Sequence, residues 1–303
     1  ISSEKFSSCA EPDAFLLEND DIKLPVRTKK SVHKGDFGHA AVIMGEKAGA
    51  AVIAGTAALS FGAGLVTEVD SGLCGTSFMM NPELMISDSM PERTSAVLLG
   101  SGLGRSEKSF AVARKVIEKV CEMKNPSVVL DADFFYYENI AEVLERLNSI
   151  PGARVILTPH PKEMHELLRR SLVIEPVDSK SAKHITGRPR DSEITVSDVC
   201  THRFEYARQF AQKFPNLVLV SKGADSYICA GKNCFICDRG TNALAKAGSG
   251  DVLAGLCAAL LAQGYSAVEA AKTAVFAHAE AARSFERSYE CTPLKLAEFL
   301  GRM

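Results

Sequence analysis

A chain of 303 residues can form one large α/β domain or two ordinary ones, and its 46% hydrophobic content supports a sizeable core, which excludes disorder as the main state. A net charge of −2, from 35 basic and 37 acidic side chains, leaves no electrostatic footprint for nucleic acid or an anionic membrane and points to a small-molecule partner. Apolar runs such as 252–261 are too short for a membrane span of roughly 20 residues, and nine scattered cysteines fit reduced thiols in the cytoplasm better than a disulfide framework.

The chain opens on Ile1 rather than methionine, and residues 1–21 carry neither the basic nor the apolar part of a signal peptide. We expect a trimmed polypeptide or the C-terminal part of a longer one. Phe15, Leu16 and Leu17 form a small apolar knot, which predicts that this tail packs on something such as a neighbouring subunit or a missing domain. The glycine- and charge-rich stretch His33-Lys34-Gly35-Asp36-Phe37-Gly38 leads into the first strand and is expected to fold over the active site.

From residue 40 onward, short apolar runs at 40–44, 65–69, 96–99, 128–130, 154–157 and 217–220 predict six strands. Between them, 48–61, 106–122, 140–147, 161–170 and 197–214 place apolar residues three or four apart and predict helices. Such alternation builds βα units, hence a mostly parallel sheet covered by helices in one domain. Residues 227–230 and 234–237, separated by Gly231-Lys232-Asn233, predict a hairpin extending one sheet edge, and the C-terminal stretch reads as helices. The segment 171–194 is rich in basic residues, proline and glycine and predicts a long loop of the kind that serves as a lid or mobile insertion.

Chemistry concentrates in residues 241–256, where a small-residue turn and an aspartate precede a helix. Gly248 and Gly250 let backbone amides approach a ligand, and the first amides of the helix are unpaired donors at a positive dipole end, which suits phosphate. Asp251 sits at that helix start and is placed to take a proton from a substrate hydroxyl during phosphoryl transfer; the plainer alternative is an N-cap.

Six further motifs occur in order: the His33–Gly38 stretch, Gly62-Ala63-Gly64-Leu65-Val66, Gly100-Ser101-Gly102-Leu103-Gly104, Asp131-Ala132-Asp133, Leu157-Thr158-Pro159-His160-Pro161-Lys162-Glu163 and Ser221-Lys222-Gly223-Ala224. With Gly248-Ser249-Gly250-Asp251 this series resembles the ADP- or ATP-dependent NAD(P)H-hydrate dehydratases of the ribokinase-like superfamily, from about Leu24 to the C-terminus. The resemblance implies a three-layer αβα fold over residues 24–303, with 1–23 as a tail or the remnant of a domain junction. It implies a lyase that phosphorylates the added hydroxyl of the S-epimer of hydrated NADH or NADPH and eliminates phosphate, using Mg²⁺ and ADP or ATP. It further implies a homo-oligomer, a tetramer, and fusion to or partnership with an NAD(P)H-hydrate epimerase.

Carried over by residue, the resemblance makes Asp251 the base and places hydrated cofactor against Ala40, Gly104, His160, Pro161, Lys162, Glu163, Met164, His165 and Glu166. Nucleotide would lie along Lys222, Gly223, Ala224, Asp225 and Ser226, and along Thr241, Asn242, Ala243, Leu244, Ala245, Lys246, Ala247, Gly248, Ser249 and Gly250. Taken without the family, His160 between two prolines is a stiff-turn histidine, Lys222 a solvated strand-end lysine, and Asp131 and Asp133 read equally as Mg²⁺ ligands and as helix caps. The chain departs from the family pattern at Pro161-Lys162-Glu163, where Pro-Gly-Glu is expected, in the length of the 171–194 loop and at Ala245-Lys246-Ala247. These departures bear on nucleotide preference more than on reaction class.

Cys234 and Cys237 have C-x-x-C spacing with Cys229 nearby, but no second pair completes a zinc set, and apolar packing is the simpler reading. His278 lies in an apolar helix and receives no role. Two rival functions share the same turn: a vitamin-alcohol kinase of the same superfamily, and a nucleotide-binding sensor without turnover.

Overall fold

The computed structural model describes residues 12–74, 81–171 and 194–303. Ten strands form one sheet: β1 (Phe15–Leu16), β2 (His39–Met44), β3 (Leu65–Asp70), β4 (Met85–Ser87), β5 (Ala96–Leu99), β6 (Ser127–Leu130), β7 (Arg154–Leu157), β8 (Leu217–Ser221), β9 (Ser226–Ala230) and β10 (Asn233–Cys237). Their spatial order is β1-β10-β9-β8-β7-β6-β5-β2-β3-β4, parallel throughout except that β9 runs against both β8 and β10.

Alternation along each strand feeds two cores. In β2, Ala40, Val42 and Met44 face one core and Ala41 and Ile43 the other. The first core is closed by α1 (Ala48–Ser60), α7 (Ser249–Ala262), α8 (Ala267–Arg283) and α9 (Pro293–Leu300), and the second by α2 (Glu107–Glu122), α3 (Ile140–Ser149), α4 (Pro161–Ser171), α5 (Val196–Thr201) and α6 (Arg203–Lys213). The result is the expected three-layer αβα arrangement. α7 is buried on nearly every side, which explains its uniformly apolar sequence, and among the described residues no helix is long and apolar enough to cross a membrane.

All six predicted strands and the hairpin are present, and four features depart from expectation. Phe15 and Leu16 pair in parallel with Phe235 and Ile236, and Leu17 is buried in the chain's own core, so the apolar knot packs on the sheet itself while the Phe15 and Leu16 side chains stay half-exposed. β4 is too short to leave a sequence pattern and pairs with β3 at the opposite edge. The stretch expected to be one helix is two: a short helix opened by the Thr195–Asp198 capping box ends at His202, where the next helix starts. Residues 172–193 of the predicted loop lie outside the described residues, and its flanks are the end of α4 and a buried Ile194.

The fourth departure concerns residues 33–38. The Phe37 carbonyl accepts from the Gly64 amide, and a Cβ on Gly38 would lie 2.0 Å from the carbonyl oxygen of Ala262, the last residue of α7. Both contacts fall at the N-terminal ends of the parallel strands. Within one chain this stretch therefore sits at the end of the sheet opposite Asp251, and it does not cover it.

Candidate active site

The sheet reverses its strand order between β2 and β5, and in open α/β sheets the crevice beyond the strand C-termini at such a point receives ligands. Ser101 follows β5, Asp131 follows β6, Thr158 to Glu163 follow β7 and Lys222 follows β8, all at that end. α7 aims its N-terminus at the same crevice. Gly248, with φ of 90°, turns the chain into the helix in a left-handed conformation that a side chain would strain. Asp251 lies in the helix's first turn, so the N-cap is Gly248 and the capping alternative for Asp251 falls away.

Below the helix start sits a buried charge cluster. Lys222 Nζ donates to Asp131 Oδ1 at 3.0 Å and lies 3.6 Å from Glu163 Oε2. The Thr158 hydroxyl donates to the same Asp131 oxygen at 2.6 Å, and the Ser101 hydroxyl is 3.5 Å from Asp131 Oδ2. A Cβ placed on Gly250 would be 3.3 Å from Lys222 Nζ, so the ammonium reaches the glycine turn expected to bind an anion. Lys222 is thus held as a charged partner of buried carboxylates, and the solvated-lysine alternative fails.

Three carboxylates, Asp131, Glu163 and Asp251, act on that ammonium. Burial pushes Asp251 up, the charges of Asp131 and Glu163 push it further, and Ser101 and Lys222 offset only part, leaving its carboxyl at about 7. Burial would also raise Glu163, but the His160 ring and amide together with Lys222 outweigh it and hold it below the usual carboxylate range. Burial would lower Lys222, yet Asp131 and Glu163 keep it above its ordinary value. A carboxylate poised near neutrality beside an anion-binding turn suits a general base. Removing the ammonium strands buried carboxylates: Lys222→Met is expected to lower stability by about 3–5 kcal/mol, read by urea unfolding.

Local structure explains the other placements. Pro161 starts α4, where its missing N–H costs nothing, and His160 Nδ1 accepts from the amides of Lys162 and Glu163 while Nε2 meets Glu163 Oε1 at 3.1 Å. Gly100, with φ of 122°, leaves no room for a side chain because a Cβ would sit 1.8 Å from the Asp131 carbonyl. Ala132 takes φ of 51°, a conformation costing a non-glycine residue roughly 1–2 kcal/mol, between the two inward-facing aspartates. Asp133 accepts from the Gly104 amide at 3.1 Å and from Arg105 Nε at 2.7 Å. It therefore pins the glycine turn, and of the two aspartates only Asp131 belongs to the charge cluster.

The two segments expected to hold nucleotide are neighbours, since a Cβ on Gly240 would lie 1.9 Å from the Ala224 carbonyl oxygen. Lys222 to Ser226 form the β8–β9 turn, and Thr241 caps a short turn at Asn242–Leu244 that leads through Ala245, Lys246 and Ala247 to Gly248. Lys246 does not point at the Gly248–Gly250 turn, because its ammonium donates to the Tyr289 carbonyl at 2.6 Å.

Several predicted substrate contacts are not brought to the crevice. Ala40 is fully buried near the start of β2, at the far end of the sheet, and its Cβ faces the first core. Met164 is fully buried in the second core, His165 Nε2 is 2.7 Å from the Ile194 carbonyl, and Glu166 pairs with Arg169 and Arg170. Helical periodicity turns 164 and 165 away from the face that carries Glu163, and Glu166, one turn further along that face, is taken up by Arg169 and Arg170. Gly104, His160, Pro161, Lys162 and Glu163 remain at the crevice. Sequence reasoning missed Thr158 and Ser101 as partners of Asp131, and also Arg203, whose guanidinium donates to the Asp225 carbonyl and lies 4.8 Å from the Tyr227 ring. The zinc alternative fails on parity, since Cys234 faces the second core and Cys237 the first, and no group of three ligating side chains is found among the described residues.

The mostly parallel αβα sheet, with a left-handed glycine turn leading into a helix whose first turn carries Asp251 beside the buried Lys222, has the ribokinase-like fold. The family model for NAD(P)H-hydrate dehydratase matches residues 40–300, and the chain belongs to that family. It is 39% identical over 292 residues to the bifunctional NAD(P)H-hydrate repair enzyme of Helicobacter pylori, covering 96% of this chain and 55% of that protein. It is 27% identical to the ADP-dependent (S)-NAD(P)H-hydrate dehydratase of Listeria monocytogenes, covering 90% of each. The chain spans about half the length of the bifunctional relatives it matches. The fold is shared with the Bacillus subtilis ADP/ATP-dependent NAD(P)H-hydrate dehydratase co-crystallized with ATP/Mg²⁺, at a TM-score of 0.72 and 23% identity over 97% of this chain and 98% of that one.

Proposed function

We propose that this chain dehydrates the S-epimer of hydrated NADH or NADPH at the expense of ADP or ATP, restoring the reduced cofactor. The observation that carries the proposal is Asp251, a carboxylate raised to about 7 in the first turn of α7, within a chain whose family membership names the substrate. Asp251 takes the proton of the hydrate's hydroxyl as its oxygen attacks the terminal phosphoryl group. The amides of Ser249 and Gly250 and the Lys222 ammonium meet the charge on that phosphoryl group. The phosphate ester is then a better leaving group than hydroxide: the carbon–oxygen bond breaks, a proton leaves the neighbouring ring carbon and the ring double bond returns.

Mg²⁺ is usually held by one or two carboxylates together with phosphate oxygens and waters, not by an all-protein cage. Asp131 and Glu163, the two carboxylates grouped with Lys222 below the helix start, fit that demand. When bound, the ion would neutralise charge on the transferred phosphate. The free thiols among the described cysteines support a cytoplasmic setting. Residues 24–303 act as the dehydratase unit, and fusion to or partnership with an epimerase follows the bifunctional relatives. The chain assembles as a homo-oligomer, a tetramer, a state supported by the exposed apolar side chains Met85 and Ile86 on edge strand β4; a monomer by sedimentation equilibrium would remove it.

Incubation with hydrated NADH, Mg²⁺ and either ADP or ATP should restore the absorbance of reduced nicotinamide with at least one nucleotide. A phosphorylated alcohol accumulating from a vitamin substrate, with no absorbance returning, would instead establish the small-molecule kinase.

A further inference from the structure

Cys229 and Cys234 are cross-strand partners in the β9–β10 hairpin, and their sulfurs lie 2.7 Å apart. The hairpin closes through Gly231 and Lys232 between the paired residues Ala230 and Asn233. In a two-residue hairpin the pair flanking the loop exchanges hydrogen bonds, so the next pair outward, 229 with 234, is of the non-bonded kind. Such pairs have Cα atoms about 4.5 Å apart, within the span a disulfide accepts. The sulfurs need approach by only about 0.7 Å to reach bonding distance.

We propose that Cys229 and Cys234 form a thiol–disulfide modification site that closes into a cross-strand disulfide under a peroxide-class oxidant. Cys234 is the sulfur that attacks the peroxide, and Cys229 resolves it. Its hydrogen bond with Cys229 and the nearby Arg208 guanidinium both favour its thiolate, against burial and the Asp13 carboxylate that pairs with Arg208 at 2.7 Å. The same hydrogen bond, with burial, keeps Cys229 a thiol. The Cys234 thiolate takes one oxygen of hydrogen peroxide, the O–O bond breaks, and the departing hydroxide takes a proton to become water, leaving a sulfenic acid. The Cys229 sulfur then attacks the Cys234 sulfur, the S–O bond breaks, and the Cys229 proton leaves with the hydroxide as a second water. Two thiols lose two electrons and the peroxide gains them.

The position gives the bond a consequence, because β9 begins at Ser226, directly after the nucleotide turn that follows β8. Oxidation ties the two strands of that hairpin together. Sequence makes the test direct: cleavage after Lys222, Lys232 and Arg239 separates the cysteines into peptides 223–232 and 233–239. Folded protein treated with hydrogen peroxide, alkylated and digested should yield these peptides linked, about 2 Da lighter than the sum of the two peptides with Cys237 alone alkylated, and separated again by dithiothreitol. Cys237→Ser should link as the unaltered chain does, and Cys234→Ser should not link. Peptides that stay separate while other cysteines oxidise, or a link that survives in Cys234→Ser, would overturn the proposal.

Discussion

Replacing Asp251 with asparagine is expected to lower turnover by a factor on the order of 10²–10⁴ while leaving nucleotide affinity nearly unchanged. The amide keeps the shape of the side chain and the helix start, but it cannot accept the hydroxyl proton. Because the Asp251 carboxyl lies at about 7, kcat/KM of the unaltered enzyme should rise with pH up to about 7 along its acidic limb. Stability carries the opposite sign. A carboxyl raised from 3.8 to about 7 costs the fold progressively as pH passes through that window, so Asp251→Asn should be the more stable protein at pH 8. Steady-state rates and urea unfolding on the same two proteins test both halves, and unchanged turnover would remove Asp251 from the chemistry.

A stability effect of comparable size is expected at Glu68. This side chain is fully buried in β3 against α1, neither carboxylate oxygen has a hydrogen-bond partner among the described residues, and burial pushes its carboxyl up to about 8. Its unfolded value is near 4.5, so the native state binds the extra proton. The penalty is therefore absent below pH 4.5, grows between 4.5 and 8, and is complete above 8. At 1.36 kcal/mol per unit the full penalty is on the order of 3–5 kcal/mol. Glu68→Met keeps the length and removes the charge, so its advantage over the unaltered chain should be small at pH 5 and reach that order at pH 8.5. An advantage that does not grow with pH would show that Glu68 is already compensated.

Glu68 also shows what a sequence discloses and what it hides. The run Leu65-Val66-Thr67-Glu68-Val69 reads correctly as a strand, yet nothing in its spacing says that the carboxylate faces a helix and not water. Strand positions and the glycine turn before Asp251 are local features, set by alternation and by backbone conformation, and both were legible. The Asp131–Lys222–Glu163 cluster is tertiary: its members lie 91 and 59 residues apart and meet only because β6, β7 and β8 are adjacent in the sheet. Ala40 and Met164 were misplaced for a related reason. A residue next to a motif in sequence can face the opposite core, and only the register decides which.

The central claim is that phosphate is transferred to the hydrate and then leaves it. It is tested most directly by following S-epimer NADH hydrate, Mg²⁺ and the preferred nucleotide through one time course with three readouts. We predict that reduced nicotinamide absorbance, inorganic phosphate and consumed nucleotide rise together in equal amounts, and that none does so with Asp251→Asn. Absorbance returning without nucleotide consumption, or nucleotide consumed with no return of absorbance, would contradict it.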